Sequence, residues 1–138
     1  MRNRSKSREY ALQMLYQADI RRGSPHVVEE FWQGHEPAPA EVRAYADELV
    51  QGTLQHRQEI DALITGHADN WDLNRMAVID RNILRLGAFE LLHVEGTPAK
   101  VCINEAIELA KRFGDADSGK FINGILDAIH NKHPSTKR

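Results

Sequence analysis

The stretch from Pro98 to Ile129, PAKVCINEAIELAKRFGDADSGKFINGILDAI, decides the fold class of this chain. Its apolar residues recur at the three- and four-residue spacing of helices that bury one face. Thr97 and Pro98 are typical of a helix start, because proline suits the first helical position, where an N–H would have no intrahelical partner. Gly114 follows the first apolar stripe, where helices often end in a left-handed residue, and a second stripe starts after Ser118. We therefore predict a helical hairpin at the centre of an all-α domain.

The segment from Leu73 to Val94 is apolar on nearly all sides, which is typical of a helix in the middle of a bundle. Asp80 is the exception, because its direction from the helix axis lies among Met76, Ile83 and Leu84. A buried carboxylate without a partner is costly, so we expect a basic partner, a backbone donor or an exposed groove beside it. Both an internal salt bridge or cap and a partner-binding role are compatible with this position.

The rest of the chain also has helical spacing and no strand-like alternation. Further helices are predicted from about Ser7 to Arg21 or Arg22, from a cap and first turn at Ser24 and Pro25 to Gly34, and from about Pro39 to about Gly66 with a kink near Thr53. The complete pattern predicts about seven helices in two small packed bundles. We expect one domain over residues 1–138, with an N-terminal subdomain over 1–70 and a C-terminal subdomain over 71–138.

The composition is that of an ordinary globular domain. The chain has 138 residues, of which 41% are hydrophobic and 28% charged, so it is too apolar for a disordered protein. No stretch approaches the roughly 18 uninterrupted apolar residues of a membrane span, and no secretory signal is present at the N-terminus. Cys102 is the only cysteine, which excludes an intrachain disulfide. These features predict a cytoplasmic protein.

The motifs of common enzymes are missing from the sequence. The seven histidines are scattered and do not form the His-Glu-x-x-His metal pattern. Neither a glycine-rich phosphate loop nor a nucleophile elbow is found. We therefore predict that the protein is not an enzyme and holds no metal and no cofactor.

Positive charge is concentrated at the N-terminus. Residues 1–22 contain six basic and two acidic side chains, a balance of +4, so the rest of the chain carries −6. Arg2, Arg4, Lys6 and Arg8 form a basic arm without an apolar residue, which we expect to be frayed until a partner binds. Such an arm favours a local contact with a polyanion, although a solvated tail has the same composition. Tyr16 lies on the rim of the helix that follows, where it either completes the core or stacks on an unpaired base.

Two segments of the hairpin carry a family resemblance. INEAIELAKRFG followed by DSGKFINGILD resembles the C-terminal signature of the NusB family, small bacterial RNA-binding proteins of transcription antitermination. SREYALQMLYQ and RNILRLGAFELL extend the resemblance over nearly the whole length. The resemblance implies an all-helical fold of two small bundles. It also implies binding of a boxA-type single-stranded RNA together with NusE, a small-subunit ribosomal protein. The resemblance further implies that this complex joins RNA polymerase and promotes processive transcription of ribosomal RNA operons.

The resemblance also implies site residues. Arg2, Arg4, Lys6 and Arg8 correspond to the arginine-rich RNA arm of the family. Tyr16 and Asp80 are similar to positions on the surface that faces RNA and NusE. The RNA-binding residues implied in the hairpin, which border the same surface, are Phe113, Asp117, Lys120 and Phe121.

Two other interpretations fit the sequence. In the first, the chain is a non-catalytic helical module that binds only proteins. In the second, it is an RNA-binding domain related to that of ribosomal RNA cytosine methyltransferases. The sequence is compatible with a monomer or a weak homodimer.

Overall fold

The structure is a computed structural model that describes residues 2–21, 26–68 and 72–133, except for the side chain of Arg2. Within these ranges the chain forms seven α-helices, one short 3-10 helix (Leu73–Arg75) and no strand. The α-helices are α1 (Arg2–Ile20), α2 (Val27–Gln33), α3 (Ala40–Gln55), α4 (Arg57–His67), α5 (Val78–His93), α6 (Ala99–Phe113) and α7 (Ser118–Lys132). The predicted all-α class with seven helices is confirmed.

Helix α5 is the centre of the fold. Every residue from 82 to 92 is buried, and α5 packs against α1, α3, α4, α6 and α7. This burial confirms the central helix predicted from a segment that is apolar on nearly all sides. The hairpin of α6 and α7 packs on one side of α5, so the molecule is organised around α5 and not around the hairpin.

Helix α1 begins earlier than predicted. The basic arm is not frayed in this structure, because the helix already includes Arg2. Tertiary contacts that the sequence does not reveal hold this first part in place. Ser7 is buried, and its Oγ donates a hydrogen bond to the carbonyl of Val42 in α3 at 2.8 Å. The basic residues therefore lie on an ordered helix that packs against α3 and α5.

The two halves of the chain share one core. Buried apolar residues from all seven helices form a single connected cluster, and α4 contacts both α5 and α7. The break in the long segment from Pro39 to Gly66 comes at His56, three residues after the predicted kink near Thr53. The predicted subdomain boundary between residues 70 and 71 lies outside the described residues. None of the helices described is both long enough and apolar enough to cross a membrane.

Candidate nucleic-acid and partner interface

A cleft opens where the start of α5 meets the turn between α6 and α7. Its volume is about 300 Å³. Three residues predicted for the interface, Asp80, Asp117 and Phe121, line this cleft together. The other lining residues within the described ranges are Arg75, Met76, Ala77, Asp115 and Ser118. We call this feature the α5–α7 cleft.

Asp80 is half-buried in the first turn of α5. Its Oδ1 accepts a hydrogen bond from the Ser118 hydroxyl at 2.7 Å, which ties the start of α5 to the start of α7. No basic side chain of the described residues forms an ion pair with Asp80, so the internal salt bridge considered for it is not found. Burial raises the pKa of Asp80 above its usual value; the hydrogen bond from Ser118 opposes this shift, and the nearby Asp115 carboxylate adds to it.

The turn that carries Asp115 and Asp117 depends on a glycine. Asp115 donates its backbone N–H to Ser118 Oγ at 3.0 Å, and Asp117 donates its own to Asp115 Oδ1 at 3.0 Å. A Cβ atom at Gly114 would lie 2.5 Å from Ser118 Oγ, so a larger residue would push this serine away. The prediction of a left-handed Gly114 was wrong, because its φ of −95° and ψ of −169° are extended. Glycine is needed at this position because the backbone approaches Ser118 closely, and not because it adopts a left-handed φ.

Phe113 and Lys120 lie near the turn but outside the α5–α7 cleft. Phe113 is 38% exposed, which is unusual for a large apolar side chain in this structure. The guanidinium of Arg112 lies 5.5 Å from its ring centroid. Lys120 is exposed and lines a second groove of about 590 Å³ between α6 and α7. An exposed aromatic ring and an exposed cation are suited to stacking and phosphate contacts, respectively.

The basic arm is divided between surface and interior. Lys6 is exposed, with 51% of its side chain accessible. Arg4 is also exposed, and its guanidinium lies 3.9 Å from the centroid of the Tyr45 ring. The side chain of Arg2 lies outside the described residues. Tyr16 is half-buried on α1 and does not line the α5–α7 cleft.

Arg8 does not fit its predicted role as a phosphate contact. The residue is only 2% exposed, and its Nε and Nη2 donate to the two carboxylate oxygens of Glu90 at 2.8 and 2.6 Å. Its Nη1 donates to Glu105 at 3.0 Å, and the hydroxyl of Tyr45 also donates to Glu90. Burial and the charge of Glu90 raise the pKa of Tyr45 to about 12. With its donors directed at two internal carboxylates, Arg8 belongs to the scaffold that holds α1 against α5.

A second buried network was not predicted at all. Asp19 of α1 accepts hydrogen bonds from Arg81 at 2.7 Å, from Asn82 at 2.9 Å and from Arg85 at 3.0 Å. Arg85 also pairs with Asp61 of α4 at 2.8 Å. Burial alone would raise the pKa of Asp19, but the hydrogen bonds from Arg81 and Asn82 and the charge of Arg85 lower it to about 2. The polar residues of RNILRL, which lie inside a segment that is apolar on nearly all sides, were the available signal, since arginines are seldom buried without a partner.

Within the described residues, seven α-helices, one of them the buried central helix α5, together with a basic N-terminal helix and a cleft beside the α6–α7 turn, define a small helical binding domain. The model of the NusB family matches residues 5–131. The transcription antitermination protein NusB of Geobacter sulfurreducens is 51% identical over 92% of this chain and 93% of its own length. The chain therefore belongs to the NusB family of transcription antitermination proteins.

Solved structures agree with this assignment. A structure of NusB from T. maritima has a TM-score of 0.86 and 37% identity, over 94% of this chain and 92% of its own. A structure of the antitermination factors NusB and NusE in complex with double-stranded RNA has a TM-score of 0.86 and 31% identity. It covers 95% of this chain and 98% of the matched chain. The predicted family is thus confirmed by sequence and by fold.

Proposed function

We propose that this protein acts in transcription antitermination by binding a boxA-type single-stranded RNA together with NusE. The complex then joins RNA polymerase and promotes processive transcription of ribosomal RNA operons. The observation that carries this proposal is the near full-length similarity to a NusB chain solved with NusE and RNA. The protein acts without catalysing a reaction, needs no cofactor, works in the cytoplasm and is a monomer or a weak homodimer.

We assign the RNA contacts to exposed basic and aromatic groups. Arg4 and Lys6 present positive charge on α1, and Arg2 precedes them in sequence. Phosphate neutralisation by such side chains supplies most of the sequence-independent affinity for nucleic acid. The exposed ring of Phe113 supplies a stacking surface for an unpaired base, and Lys120 adds charge near it. We also propose that Tyr16 of α1 contacts RNA or NusE.

The α5–α7 cleft is better suited to a protein partner than to phosphate. Among the described residues, Asp80, Asp115 and Asp117 line it with Arg75 as the only basic side chain, and carboxylates repel phosphates. We therefore assign Asp80 and Phe121 to the NusE side. Asp117, which is exposed at the mouth of the cleft, contacts RNA only as an acceptor for the amino group of a base.

We also propose that the chain is divided into an N-terminal subdomain over 1–70 and a C-terminal subdomain over 71–138.

The test is a titration of a fluorescent boxA-like RNA oligonucleotide with the protein, with and without NusE. A scrambled oligonucleotide of the same length and composition is the control. We expect selective binding of the boxA-like RNA, and tighter binding when NusE is present. If the protein bound NusE but bound neither RNA at low salt, it would be a protein-interaction module and the RNA proposal would be wrong.

A further inference from the structure

The fold brings together two histidines and a glutamate that the proposed function does not use. His56 lies at the break between α3 and α4, Glu59 in the first turn of α4, and His93 at the end of α5. One potential ligand atom from each residue lies within 4.8 Å of the other two. We propose that His56, Glu59 and His93 form a binding site for a transition-metal ion, with Zn²⁺ as its occupant.

His56 is oriented for metal binding by its own helix. Its Nδ1 lies 2.9 Å from the carbonyl oxygen of Gly52. Since a carbonyl oxygen can only accept a hydrogen bond, Nδ1 carries the proton and Nε2 keeps the lone pair that a metal ion needs. A hydrogen bond from the second ring nitrogen to a backbone carbonyl is the usual way in which metal-binding histidines are held.

His93 and Glu59 already have nearly the spacing of two ligands on one ion. His93 Nε2 lies 3.0 Å from Glu59 Oε1, and two ligands of a tetrahedral zinc ion, at bond lengths of about 2.0–2.1 Å, lie about 3.3 Å apart. The proton that His93 Nε2 donates to this carboxylate leaves Nε2 when a metal ion takes its place. The rings of His56 and His93 are stacked, with centroids 4.3 Å apart and planes 26° from parallel. Because a metal ion lies in the plane of each coordinating ring, the His93 ring must turn out of this stack when the ion binds, while His56 keeps its hydrogen bond to Gly52.

The scaffold behind the three residues is closely packed. The ring of Phe89 lies 5.7 Å from that of His56 and 5.6 Å from that of His93, measured between centroids. A Cβ atom at Gly52 would lie 2.0 Å from the Phe89 ring, so glycine is required for α3 and α5 to approach this closely. Ligands placed on packed helices are held more accurately than ligands on loops.

The chemistry of the three donors favours zinc over the hard cations. Two imidazoles and one carboxylate suit Zn²⁺, whereas Mg²⁺ and Ca²⁺ prefer sites built from oxygen alone. His93 is 18% exposed and Glu59 is 56% exposed, so the site is open to solvent on one side. Three protein ligands with an open fourth position for water form a common coordination shell of zinc.

The test is calorimetric titration of the EDTA-treated full chain with Zn²⁺, followed by Co²⁺ as a spectroscopic probe of coordination. We expect one ion per chain and the visible absorption band of tetrahedral Co²⁺. His56→Gln and His93→Gln should each weaken binding by about tenfold or more. His130→Gln, which changes an exposed histidine on α7, should leave the binding unchanged. Circular dichroism melts check that each variant is folded. Glu59→Gln changes the third proposed ligand at an exposed position, so it tests the site without disturbing the core.

Two outcomes would overturn the proposal. The first is that the parent binds Zn²⁺ no more tightly than the variant in which both His56 and His93 are changed to Gln. The second concerns another histidine pair, His67 and His133, whose Nε2 atoms lie 2.8 Å apart. Binding that is lost in His67→Gln but retained in His93→Gln would place the ion at that pair instead.

Discussion

Arg8 in α1 and Glu90 in α5 form a buried, bidentate ion pair, although they lie 82 positions apart in the chain. Two guanidinium nitrogens meet the two carboxylate oxygens at 2.8 and 2.6 Å, and both side chains are almost fully buried. Paired arginine–carboxylate contacts of this kind are directional and strong. The basic N-terminal segment is therefore fixed to the centre of the fold at Arg8, while Arg4 and Lys6 stay on the surface.

Loss of Arg8 should destabilise the protein, because it leaves Glu90 buried without its counter-charge. Arg8→Ala is expected to lower the free energy of unfolding by about 3–5 kcal/mol, measured by urea denaturation. Lys6→Ala, a change at an exposed residue two positions earlier, is the control and should alter stability by less than about 0.5 kcal/mol. An Arg8→Ala protein with the denaturation midpoint of the parent would contradict the buried pair.

The arm itself should contribute to RNA affinity without the buried Arg8. Replacing Arg2, Arg4 and Lys6 with Ala should weaken binding to the boxA-like RNA and reduce its dependence on salt. For about three phosphate contacts, the slope of log K against log salt should change by about 2 in magnitude. The measurement is fluorescence anisotropy at several salt concentrations, with Lys100 and Lys132, two exposed lysines elsewhere on the surface, replaced by Ala as a control for the loss of positive charge outside the arm. If the triple variant kept the slope of the parent, the arm would not contact phosphate.

The stability of the protein should fall in acid because of Asp19. Its pKa in the folded state is about 2, below its ordinary value of 3.8, so its ionised form is favoured by folding. The stabilisation is complete above about pH 5 and is lost progressively as the pH falls through about 2, at a cost of about 2 kcal/mol. Denaturation midpoints of the parent and of Asp19→Asn, measured between neutral pH and pH 2, test this. The difference between the two proteins should shrink on acidification; a constant difference would exclude this role.

Two apolar residues of the hairpin, Leu126 and Ile107, should contribute differently to stability because they differ in burial. Leu126 is fully buried, and a Cβ atom added to Gly87 would lie 2.9 Å from its Cδ1, so α5 and α7 meet tightly at this point. Leu126→Ala should cost about 2–5 kcal/mol in a urea melt. Ile107 lies on the facing stripe of α6 but is only half-buried, so Ile107→Ala should cost clearly less. Equal losses for the two variants would contradict this difference in burial.

The sequence predicts those features of the structure that depend on the spacing of residues close together in the chain. The seven helices, the turn at Gly114 and the burial of α5 follow from apolar periodicity and from residues that start or end helices. Contacts between distant polar residues do not follow, since nothing in the spacing of Arg8, Glu90 and Tyr45 indicates that they meet. For the same reason, the arm was expected to be frayed and the histidines appeared scattered. The fold had to be known before His56 and His93 could be seen as neighbours.

The last prediction separates a binding role of Asp80 from a structural one. In the folded protein the pKa of Asp80 is raised, by burial above all, so its charge opposes folding at neutral pH instead of supporting it. Asp80→Asn removes this charge and keeps an oxygen that accepts the hydrogen bond from Ser118. The free energy of unfolding should therefore stay within about 1 kcal/mol of the parent, whereas the affinity for NusE should change. Ser118→Ala is the matched variant, because it removes the hydrogen bond and leaves the carboxylate. Strong destabilisation of Asp80→Asn, with normal binding by the folded fraction, would show that Asp80 supports the fold and not the partner.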